Sequence, residues 1–208
     1  MAIVVLTLAV ASAFKRLRRE IRSLSPSEWN DVVNAIRVMK FIPQEEGRSI
    51  YGSDFRSYDD LIAQHATASL SVHGDQAHFS EVFPIFHRAW CLAMENSLLS
   101  INSNIQGLPY WDFSLDMDDS GVHPSIFSET YLGGSGDPIE GYAVVDGPFS
   151  YWPIADISSG IYGSISSPYG QLRHPLSINP SPYMTRRLGS LCGIKFDLGD
   201  SRYYKVRL

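Results

Sequence analysis

Four of the six histidines in this chain lie within 23 residues, and their spacing limits how the chain can fold around them. The four are His65, His73, His78 and His87. His78 and His87 are nine residues apart, so one straight α-helix would point them in roughly opposite directions. The two imidazoles can converge only if His78 lies on a loop that leads into the helix bearing His87.

The sequence between these two histidines supports a loop followed by a helix. Pro84 suits the first turn of a helix and would break its interior. We therefore predict a helix over about Pro84 to Ser100, in which His87 shares one apolar stripe with four other residues: Trp90, Cys91, Met94 and Leu98. An earlier helix, about Tyr58 to Ser69 with Ser57 as its cap, carries His65 on its apolar face.

Clustered neutral imidazoles are the ligands that copper and zinc sites use. Taken singly, His65 or His87 is more typical of a core histidine bonded to a backbone carbonyl. Three histidines together, two of them on buried helix faces, favour a metal site built from His65, His78 and His87.

The rest of the pattern indicates a mainly α fold with long irregular loops. Ser25 and Glu28 form a capping-box pattern that starts a helix over about Pro26 to Lys40. From Pro109 to about Pro182 turn-forming residues dominate, and no helix longer than two turns is readable. We expect so long a segment to wrap a helical core, and 208 residues suffice for one domain.

Charge and hydropathy narrow the expected partners and location. A net charge of -5 without a basic stripe argues against nucleic acid as a partner. Residues 1–13 form a short apolar run that ends in Ala11-Ser12-Ala13, which predicts a cleaved secretion signal; the alternative is the start of a core helix. The run is too short to span a bilayer, and no other segment qualifies as a transmembrane span.

Three stretches of the sequence resemble a known family. They are YDDLIAQHATAS, VHGDQAHFSEVFPIFHRAWCLAMENSLL and LPYWDFSLD. The Tyr-Asp pair before a histidine, the two histidines nine residues apart, the Phe-Pro-x-aromatic-His-Arg motif and Leu-Pro-Tyr-Trp-Asp resemble the first copper-binding half of tyrosinases and catechol oxidases, especially the fungal kind. The resemblance covers about Leu17 to Phe149 and implies a helical-bundle copper domain.

The resemblance also implies roles for particular residues. It assigns one copper to His65, His78 and His87, with His73 as an alternative to His78. It implies that Phe83 packs beside the site and shields it. Buried, paired charges are expected at three further positions: Arg88, Glu95 and Asp112.

One departure from the family is severe. Members use two coppers, each on three histidines, to oxidise phenols and o-diphenols to o-quinones with dioxygen. The second set begins with His-x-x-x-His, and this sequence has no two histidines four apart. After His87 only His123 and His174 remain, and neither lies on a readable helix. We therefore expect a chain truncated before the second copper-site helices: a signal peptide at 1–13, a partial copper-binding domain at 14–188 and a divergent tail at 189–208.

Because of this departure, three functional hypotheses compete. The first is a tyrosinase-type oxidoreductase, acting on phenolic small molecules and dioxygen, that is impaired as this chain alone. The second is a non-catalytic mononuclear copper-binding fragment or partner module, and the third is a remnant without metal. An apolar surface left by a missing helix pair would also favour self-association.

Overall fold

The described part of the molecule is mainly helical, as the sequence predicts. A computed structural model describes residues 16–69, 75–78, 81–116, 126–154, 182–185, 190–191 and 194–195. Its α-helices within these ranges are α1 (Pro26–Phe41), α2 (Gln44–Tyr51), α3 (Tyr58–Ser69) and α4 (Phe83–Ile101). Short 3-10 turns lie at Ile21–Ser23 and Phe113–Asp116, and β1 (Ser190–Leu191) pairs antiparallel with β2 (Ile194–Lys195).

Helix α1 begins where the local signals in the sequence place its start. The hydroxyl of Ser25 accepts a hydrogen bond from the N–H of Glu28 at 3.3 Å, and the Glu28 carboxylate accepts one from the N–H of Ser25 at 2.7 Å. This is the predicted capping box. The buried face of α1 includes Trp29, Val32 and Met39. Because α1 packs on both α3 and α4, it supports the two helices that carry histidines.

Helix α2 is short and was not predicted from the sequence. Its segment QEEGRSIY lacks an apolar stripe, and Gly47 is its buried residue. The ring of Phe55, which is fully buried, lies so close that a Cβ at Gly47 would stand 2.0 Å from it. Gln44 accepts a hydrogen bond from the N–H of Ser57 at 2.6 Å, so α2 also positions the start of α3.

Helices α3 and α4 form the pair on which two of the histidines lie. The hydroxyl of Ser57 accepts a hydrogen bond from the N–H of Asp60 at 3.1 Å and caps α3. Pro84 lies in the first turn of α4, as predicted. The predicted bounds of both helices are confirmed to within one residue at each end.

The irregular segment after α4 packs around α1. The indole N–H of Trp29 donates to the carbonyl oxygen of Thr130 at 2.8 Å, and the ring of Phe149 lies 6.3 Å from that of Trp29. Ile126 is almost fully buried. Residues 126–154 contain turns and isolated bridges, which confirms the long irregular loops expected there.

Several sequence predictions fall on residues that the structure does not describe. The run at 1–13 is one of them, and all but four residues of 189–208 are others. Among the helices of the described ranges, none is both long and apolar enough to cross a bilayer.

Candidate metal centre

Three histidines converge in this structure. His65 comes from α3, His87 from α4, and His78 from the loop that precedes α4. The ring centroids of His65 and His78 are 5.0 Å apart, those of His65 and His87 are 5.4 Å apart, and those of His78 and His87 are 5.2 Å apart. One ring nitrogen from each lies within 4.8 Å of the other two. Imidazole nitrogens bind metals at about 2.0–2.1 Å, so three this close can bind one ion with small adjustments.

The orientation of His87 is set by its own helix. Its Nδ1 lies 2.9 Å from the carbonyl oxygen of Phe83, one turn earlier. A carbonyl oxygen only accepts hydrogen bonds, so the proton of the neutral ring is on Nδ1. His87 is therefore held in the tautomer whose Nε2 keeps a lone pair for a metal.

The loop that carries His78 is organised by Asp75. The Oδ2 atom of Asp75 lies 3.0 Å from Nδ1 of His78, and its Oδ1 accepts hydrogen bonds from the N–H groups of Ala77 and His78, each at 2.9 Å. Desolvation raises the pKa of the Asp75 carboxyl, but these hydrogen bonds and the nearby His78 lower it, and the net shift is downward. Asp75 is therefore an ionised acceptor at neutral pH.

Sequence reasoning missed Asp75. Its one local signal is its place three residues before His78, in the order Asp-Gln-Ala-His. Aspartate is common in loops, where it often bonds to backbone N–H groups two or three residues on, so this spacing alone does not single out a partner of a metal ligand.

His65 lies among aromatic rings. Its centroid is 5.2 Å from that of Trp90 and 6.0 Å from that of Phe86. Desolvation, and after it the proximity of His78 and His87, lowers the pKa of His65. The ring is consequently neutral at physiological pH, which is the form that binds a metal.

Phe83 lies beside the site, at the position that the resemblance implies. Its ring centroid is 4.2 Å from that of His87 and 6.1 Å from that of His78. The side chain is still 46 % exposed, so it shields the two imidazoles only in part.

The resemblance implies buried, paired charges at Arg88, Glu95 and Asp112. Of these three side chains, that of Glu95 is buried. Its carboxylate accepts hydrogen bonds from Arg18 at 2.6 Å, from Arg16 at 3.2 Å and from the N–H of Leu108 at 2.9 Å. Desolvation raises the pKa of Glu95, but the bonds from Arg18 and Leu108 outweigh it and the pKa lies below its ordinary value. Glu95 thus links α4 to the segment that precedes α1 and to the segment that follows α4.

The expectation of a buried charge is wrong for Arg88, which is exposed on α4. The nearby side chains of Ile85, Ala89 and Leu92 are exposed as well, so this side of α4 faces solvent. Asp112 is half-buried, and its carboxylate accepts hydrogen bonds from the N–H and the hydroxyl of Ser114. It therefore stabilises the 3-10 turn at Phe113–Asp116.

The other three histidines lie outside the described residues. These are His73, the alternative ligand, together with His123 and His174. Within the part of the chain that the structure describes, His65, His78 and His87 form the group of side chains close enough to hold a metal ion.

The donor set fits copper. It offers three imidazoles, two of them with Nδ1 bonded to an acceptor, which is how metal-binding histidines are usually oriented. Fold and site together define a helical protein with a group of three histidines that could hold a metal ion. The family model of the common central domain of tyrosinase matches residues 55–188. The chain belongs to the tyrosinase family of type 3 copper proteins.

Several named proteins are similar in sequence to this chain. The tyrosinase-like protein phomQ1' of Diaporthe leptostromiformis is 30% identical over 140 residues, which are 64% of this chain and 34% of that protein. Grixazone synthase of Streptomyces griseus is 28% identical over 99 residues, 45% of this chain and 31% of that protein. Hemocyanin 1 of Megathura crenulata is 28% identical over 117 residues, 54% of this chain and 3% of that protein. The chain spans about a third of the length of the first two.

Proposed function

We propose that this chain binds one copper ion through His65, His78 and His87 and supplies the first copper-binding half of a tyrosinase-type phenol oxidase. The observation that carries the proposal is the convergence of three ring nitrogens within 4.8 Å of one another. Membership of the tyrosinase family supports copper over zinc. A copper ion held there would supply one-electron redox chemistry towards dioxygen.

The residues around the three imidazoles have separate tasks in this proposal. Asp75 and the carbonyl of Phe83 orient two of the rings. The ring of Phe86, 5.2 Å from that of His87, keeps water from one side of the site. The partly exposed ring of Phe83 offers an aromatic surface against which a phenol can pack.

Oxidation of phenols or o-diphenols to o-quinones is impaired in this chain alone. The family resemblance implies two coppers on six histidines, and the triad supplies ligands for one. The sequence holds three further histidines and no His-x-x-x-His pair. A second set of three histidines would therefore be required for the oxidation.

A non-catalytic mononuclear copper-binding fragment or partner module is the second candidate. The single triad among the described residues favours it. Names of both tyrosinases and hemocyanins occur among the similar proteins.

Copper content and oxygen uptake with catechol, measured on one sample reconstituted with Cu(I), test these proposals. One copper per chain without oxygen uptake supports the single-site proposal. Two coppers per chain with uptake would contradict it, and His123→Ala and His174→Ala would then show whether those residues complete a second site. A chain that takes up no copper would contradict both candidates.

Secretion is a further part of the proposal. The apolar run at 1–13 ends in Ala11-Ser12-Ala13, small residues that signal peptidase accepts. Amino-terminal sequencing of the protein from expressing cells tests it. Material in the medium that begins at Phe14 supports secretion, whereas material confined to the cells and beginning at Met1 contradicts it.

Self-association is proposed through the α4 apolar face, defined as Ile85, Ala89 and Leu92. All three side chains are exposed, Ile85 at 70 %. Exposed apolar side chains at this spacing, which lie beside the exposed Arg88, lose their contact with water when a second surface covers them, and this favours association.

A further inference from the structure

We propose that Asp75 is a positioning residue of the metal centre: it fixes the proton of His78 on Nδ1 and directs Nε2 of that ring towards the other two histidines. This role rests on the copper site proposed above. It adds a residue that neither the histidine spacing nor the family match assigns.

The contact between the two side chains determines the tautomer. Nδ1 of His78 lies 3.0 Å from Oδ2 and 3.2 Å from Oδ1 of Asp75. An ionised carboxylate has no proton to donate, so the hydrogen in this contact belongs to Nδ1. A neutral imidazole carries one proton, and Nε2 of His78 therefore keeps its lone pair.

Asp75 is itself held in place by the loop. Its Oδ1 accepts the N–H groups of Ala77 and His78, which fixes the carboxylate relative to the backbone that bears the ligand. The next residue, Gln76, donates its N–H to the carbonyl of Ala68 at 2.8 Å and ties the loop to α3. The orientation of His78 is thereby linked to the helix that carries His65.

The acceptors of the two oriented histidines differ in charge. His87 donates to the neutral carbonyl of Phe83, whereas His78 donates to a carboxylate. A carboxylate acceptor both orients an imidazole and raises its basicity as a ligand, and loss of such a partner typically weakens metal binding by about 10- to 100-fold.

Asp75→Asn separates the positioning role from a purely structural one. The Asn Oδ1 can still accept the two backbone N–H groups that hold the loop. Its NH2 group replaces Oδ2 next to Nδ1 of His78, and a donor there favours a lone pair on Nδ1 and a proton on Nε2. Asp75→Ala removes both the acceptor of the two backbone N–H groups and the contact with Nδ1 of His78. Asp54→Asn is the matched control, because Asp54 is exposed and has no hydrogen bond or ion pair among the described residues.

Two measurements test whether Asp75 positions His78. The ¹⁵N chemical shifts of the His78 ring in metal-free protein report which nitrogen is protonated, and competition with a chromophoric chelator reports the affinity for Cu(I). We expect a protonated Nδ1 in the wild type and Asp54→Asn, a protonated Nε2 in Asp75→Asn, and Cu(I) affinity about 10- to 100-fold lower in both Asp75 variants.

Wild-type affinity in Asp75→Asn, or a proton on Nε2 of His78 in the wild type, would overturn the role of Asp75. The two proposals fail in different ways. A wild-type chain that binds no Cu(I) would contradict the copper site, while the ¹⁵N shifts, measured without metal, would still decide what Asp75 does to His78.

Discussion

Trp90 donates its indole N–H to the carbonyl oxygen of Leu61 at 2.9 Å, and this bond joins the helix of His87 to the helix of His65. The same ring system lies 5.2 Å from the imidazole of His65. The relative position of two candidate ligands thus depends on a residue that binds no metal itself.

Trp90→Phe removes this hydrogen bond and keeps an aromatic ring at the site. We expect a loss of about 1 kcal/mol in the free energy of unfolding, measured in urea, because a buried hydrogen bond contributes about that much. Affinity for Cu(I) should fall as well. Tyr110→Phe, at an exposed tyrosine, is the control. If the two variants lose equal stability and affinity, the bond to Leu61 does not position the site.

Glu95→Gln tests the buried carboxylate that Arg18 and Leu108 hold. Its pKa in the folded protein lies below the ordinary value of 4.5, so the ionised group adds stability at neutral pH that is lost as the pH falls towards the folded pKa. We expect the variant to be less stable by about 2 kcal/mol at pH 7. The difference from the wild type should shrink below pH 4.5.

The measurement is urea unfolding of both proteins across this pH range. Glu45→Gln is the control, since Glu45 is exposed and its stability effect should be small at every pH. A difference between wild type and Glu95→Gln that does not change with pH would show that the charge of Glu95 adds nothing to stability.

Gly47→Ala tests the packing of α2. The added Cβ would overlap the buried ring of Phe55, and overpacking of this kind costs about 1–3 kcal/mol. Alanine would otherwise favour a helix, so a destabilised variant identifies the steric contact as the cause. Ser49→Ala in the same helix, at an exposed position, should leave the unfolding midpoint nearly unchanged. A stabilised Gly47→Ala variant would contradict the placement of α2 on Phe55.

Ile85→Glu tests self-association through the α4 apolar face. Sedimentation velocity should show dimers or larger species in the wild type and a shift to monomer in the variant, because a charge there opposes burial of the surface. Ile139→Glu, at an exposed isoleucine away from α4, should sediment like the wild type. A wild type that is monomeric at every concentration would contradict the proposal.

Three helices could be predicted because each carries a local signal. Ser25 and Glu28 specify the start of α1, Ser57 caps α3, and Pro84 places the start of α4. Helix α2 has no side-chain cap at its start, and its signals are the acidic residues Glu45 and Glu46 in its first turn and Gly52 at its end. Its packing against Phe55, which Gly47 permits, is a contact that the pattern of QEEGRSIY does not reveal.

The sequence likewise predicts some features of the candidate site and not others. Convergence of His65, His78 and His87 follows from their spacing and from the helix start at Pro84. The partnership of Asp75 with His78 depends on the conformation of the loop, and the exposure of Arg88 depends on which side of α4 has neighbours. Residue types and helical period determine neither of these.

Copper stoichiometry in single histidine variants is the most direct test of the copper site on His65, His78 and His87. After reconstitution with Cu(I), we expect one copper per chain in the wild type and in His73→Ala, and none in His65→Ala, His78→Ala or His87→Ala. Loss of copper in His73→Ala with retention in His78→Ala would show that His73 is the third ligand. Full copper content with unchanged affinity in all four variants would contradict a copper site on this triad.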